Sequence, residues 1–236
     1  ILQMAIVRPF KAVRPRRDLV EKVVALPYDV MDRSEAKAMA KGNPYSFLHI
    51  VRSEIDFPSS TDPYDPKVYK KAQRNLRVFE DDGVLVQDEK PLIYIYRQTM
   101  DGNSQTGFVG VTSVDDYVNN VIKKHELTLL SKEKDRINHF DKCDANTAPI
   151  FLTYRDNDRL NQILKSETLR EPEFDIETDD EVGHTAWLIE DEALIRESIC
   201  DVLDLNGFEV ESEPDGEKGL QRAFSLKPDL ILCDIN

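Results

Sequence analysis

Residues 91–114 read PLIYIYRQTMDGNSQTGFVGVTSV, and this stretch carries the clearest structural signal in the 236-residue chain. Two runs rich in β-branched and aromatic residues flank the polar segment Asp101-Gly102-Asn103. Aspartate followed by glycine favours a tight turn with positive φ angles, and such a turn joins antiparallel strands. The stretch therefore predicts a β-hairpin.

A long amphipathic helix is predicted just before this hairpin. Asp65-Pro66 is a strong helix start, because aspartate caps the first turn and proline fits the first helical position. Gly83 is a natural helix end. Between these residues, apolar side chains recur at the spacing of one helix face, namely Val68, Ala72, Leu76 and Phe79.

The flanking regions predict further short elements. VVALPYDV (residues 23–30) and SFLHIV (46–51) are apolar runs that predict buried strands, and a helix is expected between them over 34–41. After the hairpin we expect helices at 131–142 and 158–166, with an apolar strand at 149–154. EPEFDIETDDEVG (171–183) carries seven acidic residues and no apolar periodicity, so it predicts a solvated linker or an exposed loop.

The last fifty residues alternate between strand-like and helix-like segments. Short loops separate three apolar runs and two amphipathic runs, a pattern typical of an open parallel sheet. The predicted strands are HTAWLIEDE (184–192), FEVES (208–212) and DLILCDIN (229–236), with helices over 193–207 and 215–228. We therefore predict an α/β chain, with a mixed α+β module at 1–186 and a three-stranded parallel segment of order 2-1-3 at 187–236.

The balance of basic and acidic residues differs between the beginning and the end of the chain. Residues 1–50 carry 9 basic and 5 acidic side chains, whereas residues 161–236 carry 6 basic and 21 acidic ones. An acidic surface repels phosphate, so we expect no nucleic-acid partner. No apolar run is long enough to span a bilayer, and the three cysteines form no C-x-x-C pair, so we expect no membrane partner and a cytoplasmic location.

Three carboxylates are placed at strand ends in the last fifty residues. Glu190 and Asp191 end one predicted strand, and Asp234 ends another. The carboxyl ends of parallel strands share one edge of an open sheet, where ligands gather. Three carboxylates at that edge favour Mg²⁺, and one of them can accept a phosphoryl group. The alternative is a polar strand end without a site.

Residues 187–236 resemble the first half of a two-component response-regulator receiver domain, which has a flavodoxin-like fold. The resemblance implies phosphorelay signal reception, with Asp234 as the phospho-acceptor and Glu190, Asp191 and Asp234 as ligands of Mg²⁺. It also implies a sensor histidine kinase or a small phosphodonor as partner. The sequence ends two residues after Asp234, before the hydroxyl residue and the lysine of that family. We therefore expect a truncated receiver with impaired phosphorylation.

The first part of the chain resembles a different family. MAIVRPFKAVRP, VVALPYDV, KGNPYSFLHI, QDEKPLIYIYRQTM, VIKKHE and NTAPIFLTYR are similar to the family called domain of unknown function 1015, from Met4 to about Ile189. The resemblance implies an alternative function: part of a small-molecule enzyme, including a nucleotide-dependent kinase of the ParB/sulfiredoxin-like type, with the C-terminal segment a joined or accidental sequence. The sequence does not decide whether the protein is an enzyme.

Polar residues of the first part form a second candidate site. Lys124 and Arg136 suit anion binding, while His125 and Glu126 suit acid–base chemistry. The alternative is a solvated, salt-bridged helix. The pair Tyr28-Asp29 after Pro27 either lines a pocket or caps a turn. No cofactor is evident for this module.

Overall fold

A computed structural model describes residues 5–124, 129–178 and 181–190, in which groups of strands are separated by groups of helices along the sequence. The strands of this part form three sheets: β1 pairs with β6, β2 pairs with β3, and a four-stranded sheet has the order β5-β4-β8-β7. The strands are β1 (Val7–Arg8), β2 (Val13–Pro15), β3 (Leu85–Gln87), β4 (Leu92–Met100), β5 (Asn103–Val109), β6 (Val111–Thr112), β7 (Phe174–Glu177) and β8 (Gly183–Glu190).

The helices lie mostly between β2 and β3 and between β6 and β7. Short 3-10 helices cover Arg17–Leu19 and Ser53–Asp56. The α-helices are α1 (Val20–Val23), α2 (Arg33–Met39), α3 (Leu48–Val51), α4 (Pro66–Asp81), α5 (Val114–Val118), α6 (Leu130–Cys143) and α7 (Asp158–Glu167). The prediction of a mixture of helices and sheets is therefore confirmed. The predicted receiver-like elements lie outside the described residues, apart from the end of β8.

The predicted hairpin is confirmed as β4 and β5. The two strands are antiparallel, with Met100 opposite Asn103, so only Asp101 and Gly102 form the turn. Both turn residues have positive φ angles, 51° for Asp101 and 74° for Gly102. Gly102 adopts a positive φ angle without strain, which explains why the turn forms at this point of the sequence.

The predicted long helix is confirmed as α4. The Asp65 side chain accepts a hydrogen bond from the backbone N–H of Lys67, and Pro66 occupies the first turn. The predicted apolar face packs against α1, α3, α6 and β3 through a shared core: Val23, Ile50, Ala72, Leu76, Phe79, Val84, Leu85 and Cys143. Removing these side chains from water is the main favourable contribution to this part of the fold.

The two upstream apolar runs do not form the predicted strands. Residues 23–30 start at the end of α1 and continue as loop, and residues 46–51 include the short helix α3. Pro27 lacks an N–H for a strand ladder. Burial rather than strand pairing explains the apolar residues of the second run, because Leu48 and Ile50 are both buried in the helical core. A short apolar run does not distinguish a buried strand from a buried helix.

The acidic segment 171–183 is not the linker that its composition predicts. Phe174–Glu177 forms β7, which pairs antiparallel with β8. Phe174 and Ile176 are half-buried while Asp175 and Glu177 are exposed. This period of two is the pattern of a strand with one face exposed to solvent. The exposed face of β7 carries acidic side chains, so the composition of the segment resembles that of a linker. The predicted strand at 149–154 does not form either.

The four-stranded sheet contains the beginning of the segment that the sequence assigns to a receiver. Trp187 and Ile189 are buried in β8, and the indole N–H of Trp187 donates to the carbonyl of Arg170 at 3.1 Å. The guanidinium of Arg97 in β4 lies 4.9 Å from the Trp187 ring centre. The chain divides into two compact units, residues 1–189 and residues 190–236, so β8 belongs almost entirely to the first unit.

A bilayer span needs a helix that is both long and apolar. Among the described residues, every helix falls short of that combination.

Candidate functional site

Arg136 of α6 and Tyr28 lie together, although 108 positions separate them in the sequence. The Arg136 guanidinium carbon is 4.1 Å from the centre of the Tyr28 ring, a cation–π distance. Lys124 contacts a different ring, since its ammonium lies 4.5 Å from the centre of Tyr117. His125 and Glu126 lie outside the described residues. The structure therefore places Arg136, a predicted anion-binding residue, against Tyr28, a predicted pocket residue.

Asp135 holds one side of the Arg136 guanidinium. Its Oδ2 accepts hydrogen bonds from Nε and Nη2 of Arg136, at 3.0 and 2.5 Å. Its Oδ1 accepts from the hydroxyl of Tyr69 in α4 at 2.8 Å. Burial, aided by the hydrogen bond to Asp135, raises the pKa of Tyr69 to about 12. Tyr69 therefore remains a neutral donor at physiological pH, and both oxygens of Asp135 are engaged.

The third nitrogen of Arg136 has no protein partner. Nη1 is buried from solvent and makes no hydrogen bond, and it is the only buried side-chain nitrogen or oxygen in this condition among the described residues. A buried donor without an acceptor costs about 1–3 kcal/mol, and more for a charged group. Such an atom in a native structure calls for an explanation, and an oxygen of a bound ligand provides one.

A second arginine fixes the loop that carries Tyr28. Nη1 of Arg52 donates to the backbone carbonyls of Tyr28 and Met31 at 2.6 and 2.9 Å, and its Nε donates to Glu54 at 2.6 Å. Glu54 is buried, so the ion pair is held away from water. The loop is thus anchored through its backbone, which leaves the Tyr28 ring available to stack on Arg136.

The sequence indicates Arg136 and Tyr28 but not the three residues that support them. Arg52, Glu54 and Tyr69 lie in or beside helices whose patterns are explained by packing alone. No motif or spacing links them to Arg136, because the contacts arise when α3 and α4 pack against α6. The one sequence feature that could have indicated a supporting residue is the charge of Glu54 next to the apolar run 46–51.

His139 and Cys143 sit one and two turns after Arg136 but do not suit catalysis. Nε2 of His139 donates to the carbonyl of Ile50 at 3.0 Å, and Nδ1 faces the Thr147 hydroxyl at 3.3 Å. Burial lowers the pKa of His139 and raises the pKa of Cys143 to about 11. His139 is therefore neutral with both nitrogens engaged, and the Cys143 thiol is protonated and unreactive.

The structure adds little about the predicted magnesium site. Glu190 is the last residue of β8, whereas Asp191 and Asp234 lie outside the described residues. Within the described ranges, no three His, Cys, Asp or Glu side chains come close enough together to bind a metal ion. The metal site at the three carboxylates stays a prediction from the sequence.

His49 of α3 belongs to a separate polar cluster. Its Nδ1 lies 2.7 Å from a carboxylate oxygen of Asp56, and its Nε2 lies 3.2 Å from the carbonyl of Asn43. Asn75 donates to the other Asp56 oxygen at 3.2 Å, and Lys71 lies 3.4 Å from it. Both ring nitrogens of His49 have partners within the protein. We therefore assign this cluster to the stability of the fold and not to ligand binding.

The His49–Asp56 pair predicts a dependence of stability on pH. The hydrogen bond to Asp56 raises the pKa of His49 above its ordinary 6.5, against the opposing effect of burial. A raised pKa means that the pair contributes its full stability below about pH 6.5, and loses it as the pH rises through the folded-state value. We expect an NMR titration of His49 to give a pKa above 6.5.

The variant Asp56→Asn should lower that pKa, while the buried His139 titrates below 6.5 in both proteins and serves as an internal reference. The difference in unfolding free energy between the unmodified protein and His49→Gln should shrink from pH 6 to pH 9. A difference that grows over this range would contradict the prediction.

The described residues thus define a mixed α/β protein with a half-buried arginine–tyrosine site. The family described as Protein of unknown function (DUF1015) matches residues 7–208, so the chain belongs to that family. The match continues past Ile189, which is the expected end of the sequence resemblance. Searches of curated proteins and of solved structures found no significant match.

Proposed function

We propose that residues 5–190 form a binding module of a small-molecule enzyme, in which Arg136 holds an anionic oxygen of the substrate. The observation that carries this proposal is the buried Nη1 of Arg136, a charged donor without an acceptor. Nε and one N–H of Nη2 already donate to Asp135, and the guanidinium stacks on the Tyr28 ring. Its orientation is therefore set before a ligand arrives, which lowers the entropic cost of binding.

An anionic oxygen is the natural partner for this nitrogen. Hydrogen bonds between a guanidinium and an anion contribute about 1.5–3 kcal/mol, and they are strongest where water is excluded. Nη1 is itself closed to solvent, so a ligand oxygen would have to displace a neighbouring side chain to reach it. Carboxylates and phosphates both supply such an oxygen.

The predicted roles of Lys124, His125 and Glu126 remain part of the proposal. These residues precede α6, the helix that carries Arg136, by only a few positions. An acid–base pair there would act on the molecule that Arg136 holds. A nucleotide-dependent small-molecule kinase is compatible with such a site, because its substrates carry anionic groups.

Anion binding can be tested through stability. A ligand that binds only the folded protein stabilises it, by about 1.4 kcal/mol at ten times its dissociation constant. We expect sodium acetate or sodium phosphate, compared with sodium chloride at equal ionic strength, to raise the free energy of urea unfolding. Arg136→Met should remove the part of the increment that exceeds the general stabilisation by a salt excluded from the protein surface.

Arg77→Met is the matched control, because Arg77 is an exposed arginine of α4 whose guanidinium forms an ion pair with Glu80 at 2.8 Å. It should retain the full increment. Since the comparison is made with and without anion in each protein, a general loss of stability in Arg136→Met does not affect it. Equal increments in all three proteins would refute the proposal.

We also propose a second function, for the C-terminal segment. Phosphorelay signal reception by Asp234 is supported by the sequence, which places Glu190, Asp191 and Asp234 at the ends of predicted parallel strands. Glu190 and Asp191, with Asp234, would hold Mg²⁺, which would neutralise the charge around an incoming phosphoryl group. A sensor histidine kinase or a small phosphodonor would supply that group.

A further inference from the structure

The two edges of the four-stranded sheet differ in how well they are protected from pairing with another chain. Within the part of the chain that the structure describes, β5 and β7 are the outer strands of the order β5-β4-β8-β7. An outer strand presents unpaired backbone N–H and C=O groups, and proteins commonly protect it by charged side chains, proline or short length. β7 is protected in this way, because it has four residues and two of them, Asp175 and Glu177, are acidic.

The other outer strand, β5, has none of these protecting features. Its seven residues, NSQTGFV (Asn103–Val109), include no charged side chain and no proline. We infer that β5 pairs antiparallel with β5 of a second copy of this chain, so that two four-stranded sheets join into one sheet of eight strands. This inference is independent of the anion site at Arg136.

The register of the hairpin shows which backbone groups of β5 are available for a further strand. The two-residue turn makes its flanking residues a hydrogen-bonded pair, and hydrogen-bonded and non-hydrogen-bonded pairs then alternate along the two strands. Gln105 and Gly107 therefore bond to β4. The residues between them and beside them direct their N–H and C=O groups to the open edge, namely Ser104, Thr106 and Phe108.

A second copy fits this edge without bringing like charges together. Two identical antiparallel strands are related by a two-fold axis, and an axis at Thr106 places Ser104 of one copy opposite Phe108 of the other. Thr106 then faces its own counterpart, and threonine pairs across strands are favourable. The same symmetric pairing through β7 would bring the acidic side chains of the two copies close together. The charges of the two edges therefore select β5 as the place where two copies meet.

A single pair of strands is a small interface, so the dimer is expected to be weak. Stable interfaces bury about 1,600 Å² in total, which is more than two short strands supply, and we expect a dissociation constant on the order of 100 µM. The chain has a net charge of −14, so two copies repel each other at low salt. About 0.15 M sodium chloride screens most of this repulsion, because the Debye length is then about 8 Å.

Sedimentation equilibrium of the full chain from about 10 to 500 µM tests the inference at this range of affinity. We expect Thr106→Lys to weaken the dimer at least tenfold, because it places two ammonium groups at the two-fold axis. Thr106→Val is the matched control and should stay within twofold of the unmodified protein. Both variants lose the hydroxyl to which Nε of Arg97 donates at 3.0 Å, so this loss does not distinguish them. Glu177→Gln, on β7, changes the net charge by the same amount as Thr106→Lys and should not weaken the dimer.

Amide hydrogen exchange at low and high protein concentration supplies a second measurement. The amides of Ser104, Thr106 and Phe108 should exchange fast at 10 µM and more slowly at 500 µM, whereas those of Gln105 and Gly107 should be slow at both concentrations. Slow exchange of the first three amides in a monomer would show that another part of the same chain covers this edge, and the inference would fail. A chain that stays monomeric at 500 µM, or a dimer that Thr106→Lys leaves intact, would equally overturn it.

Discussion

Replacing Ile50 by alanine is expected to lower the free energy of unfolding by about 4 kcal/mol, toward the upper end of the range for such core truncations. Ile50 is completely buried in α3 and belongs to the core shared by α3, α4 and β3. Truncation removes three carbon atoms from a core that also contains Leu76, Phe79 and Val84, which are fixed on other parts of the chain. The cavity therefore cannot close by a small movement.

Urea unfolding followed by far-UV circular dichroism would measure this loss. Val78→Ala is the matched control, because Val78 lies on α4 and is 44% exposed. It should lose less than about 0.5 kcal/mol, as is usual for surface positions. Equal losses in the two variants would show that Ile50 is not at the centre of the core.

Ile50 also connects the core to the arginine site. Its carbonyl accepts the hydrogen bond from Nε2 of His139, one turn after Arg136 on α6. The backbone bond survives the alanine substitution, so acetate should still raise the free energy of unfolding of Ile50→Ala by the same increment. Stability and ligand binding are therefore separable in this part of the molecule.

Elements with strong local signals could be predicted from the sequence. The hairpin follows from Asp101-Gly102, where the turn requires two positive φ angles. The start of α4 follows from Asp65 and Pro66, and its buried face follows from the apolar period. In each case the deciding interactions lie within a few residues along the chain.

Elements decided by distant contacts could not be predicted in this way. Residues 46–51 are apolar because Ile50 packs into the core with α4, while Leu48 and Val51 pack into a second cluster with α2, and the same composition fits a strand. β7 depends on pairing with β8, while its acidic outward side chains resemble those of a linker. Tertiary pairing overrides composition in both places.

The candidate site likewise combines residues that the sequence indicates with contacts that only packing decides. Lys124 and Arg136 are both predicted anion-binding residues because both are basic, and the structure stacks Arg136 on Tyr28 and Lys124 on Tyr117. Nη1 is left unpaired because Asp135 orients the guanidinium through Nε and Nη2. A sequence pattern does not predict this orientation. Sequence patterns indicate which residue types carry chemistry, whereas packing decides which atoms remain available.

Residues 187–208 have two interpretations that experiments can separate. The family match includes them, and the receiver resemblance also begins with them. Residues 187–190 form the end of β8, between β4 and β7 of the sheet. A phosphorylation test addresses the receiver interpretation directly, because it detects modification of the predicted phospho-acceptor Asp234.

Phosphoryl transfer to Asp234 is expected when acetyl phosphate and Mg²⁺ are supplied to a chain extended by the second half of a receiver domain. A carboxylate oxygen of Asp234 attacks phosphorus, the bond from phosphorus to the acetyl oxygen breaks, and acetate leaves with the electron pair. The resemblance implies that a lysine in the second half stabilises the developing charge. The 236-residue chain should therefore be labelled about 10²-fold more slowly, the order of effect seen when one charge-stabilising donor is removed.

The measurement is hydroxylamine-sensitive phosphate, counted on the intact protein by mass spectrometry. Asp234→Asn should abolish the label, and Asp191→Asn or chelation of Mg²⁺ should reduce it strongly, because both remove the metal ion that offsets the negative charge of the phosphodonor. Asp204→Asn, in the predicted helix between the first two strands, should change nothing. Equal labelling of the short and extended chains would show that the added lysine is dispensable. Label that persists in Asp234→Asn would show that the acceptor lies elsewhere, and the receiver interpretation of residues 187–236 would then fail.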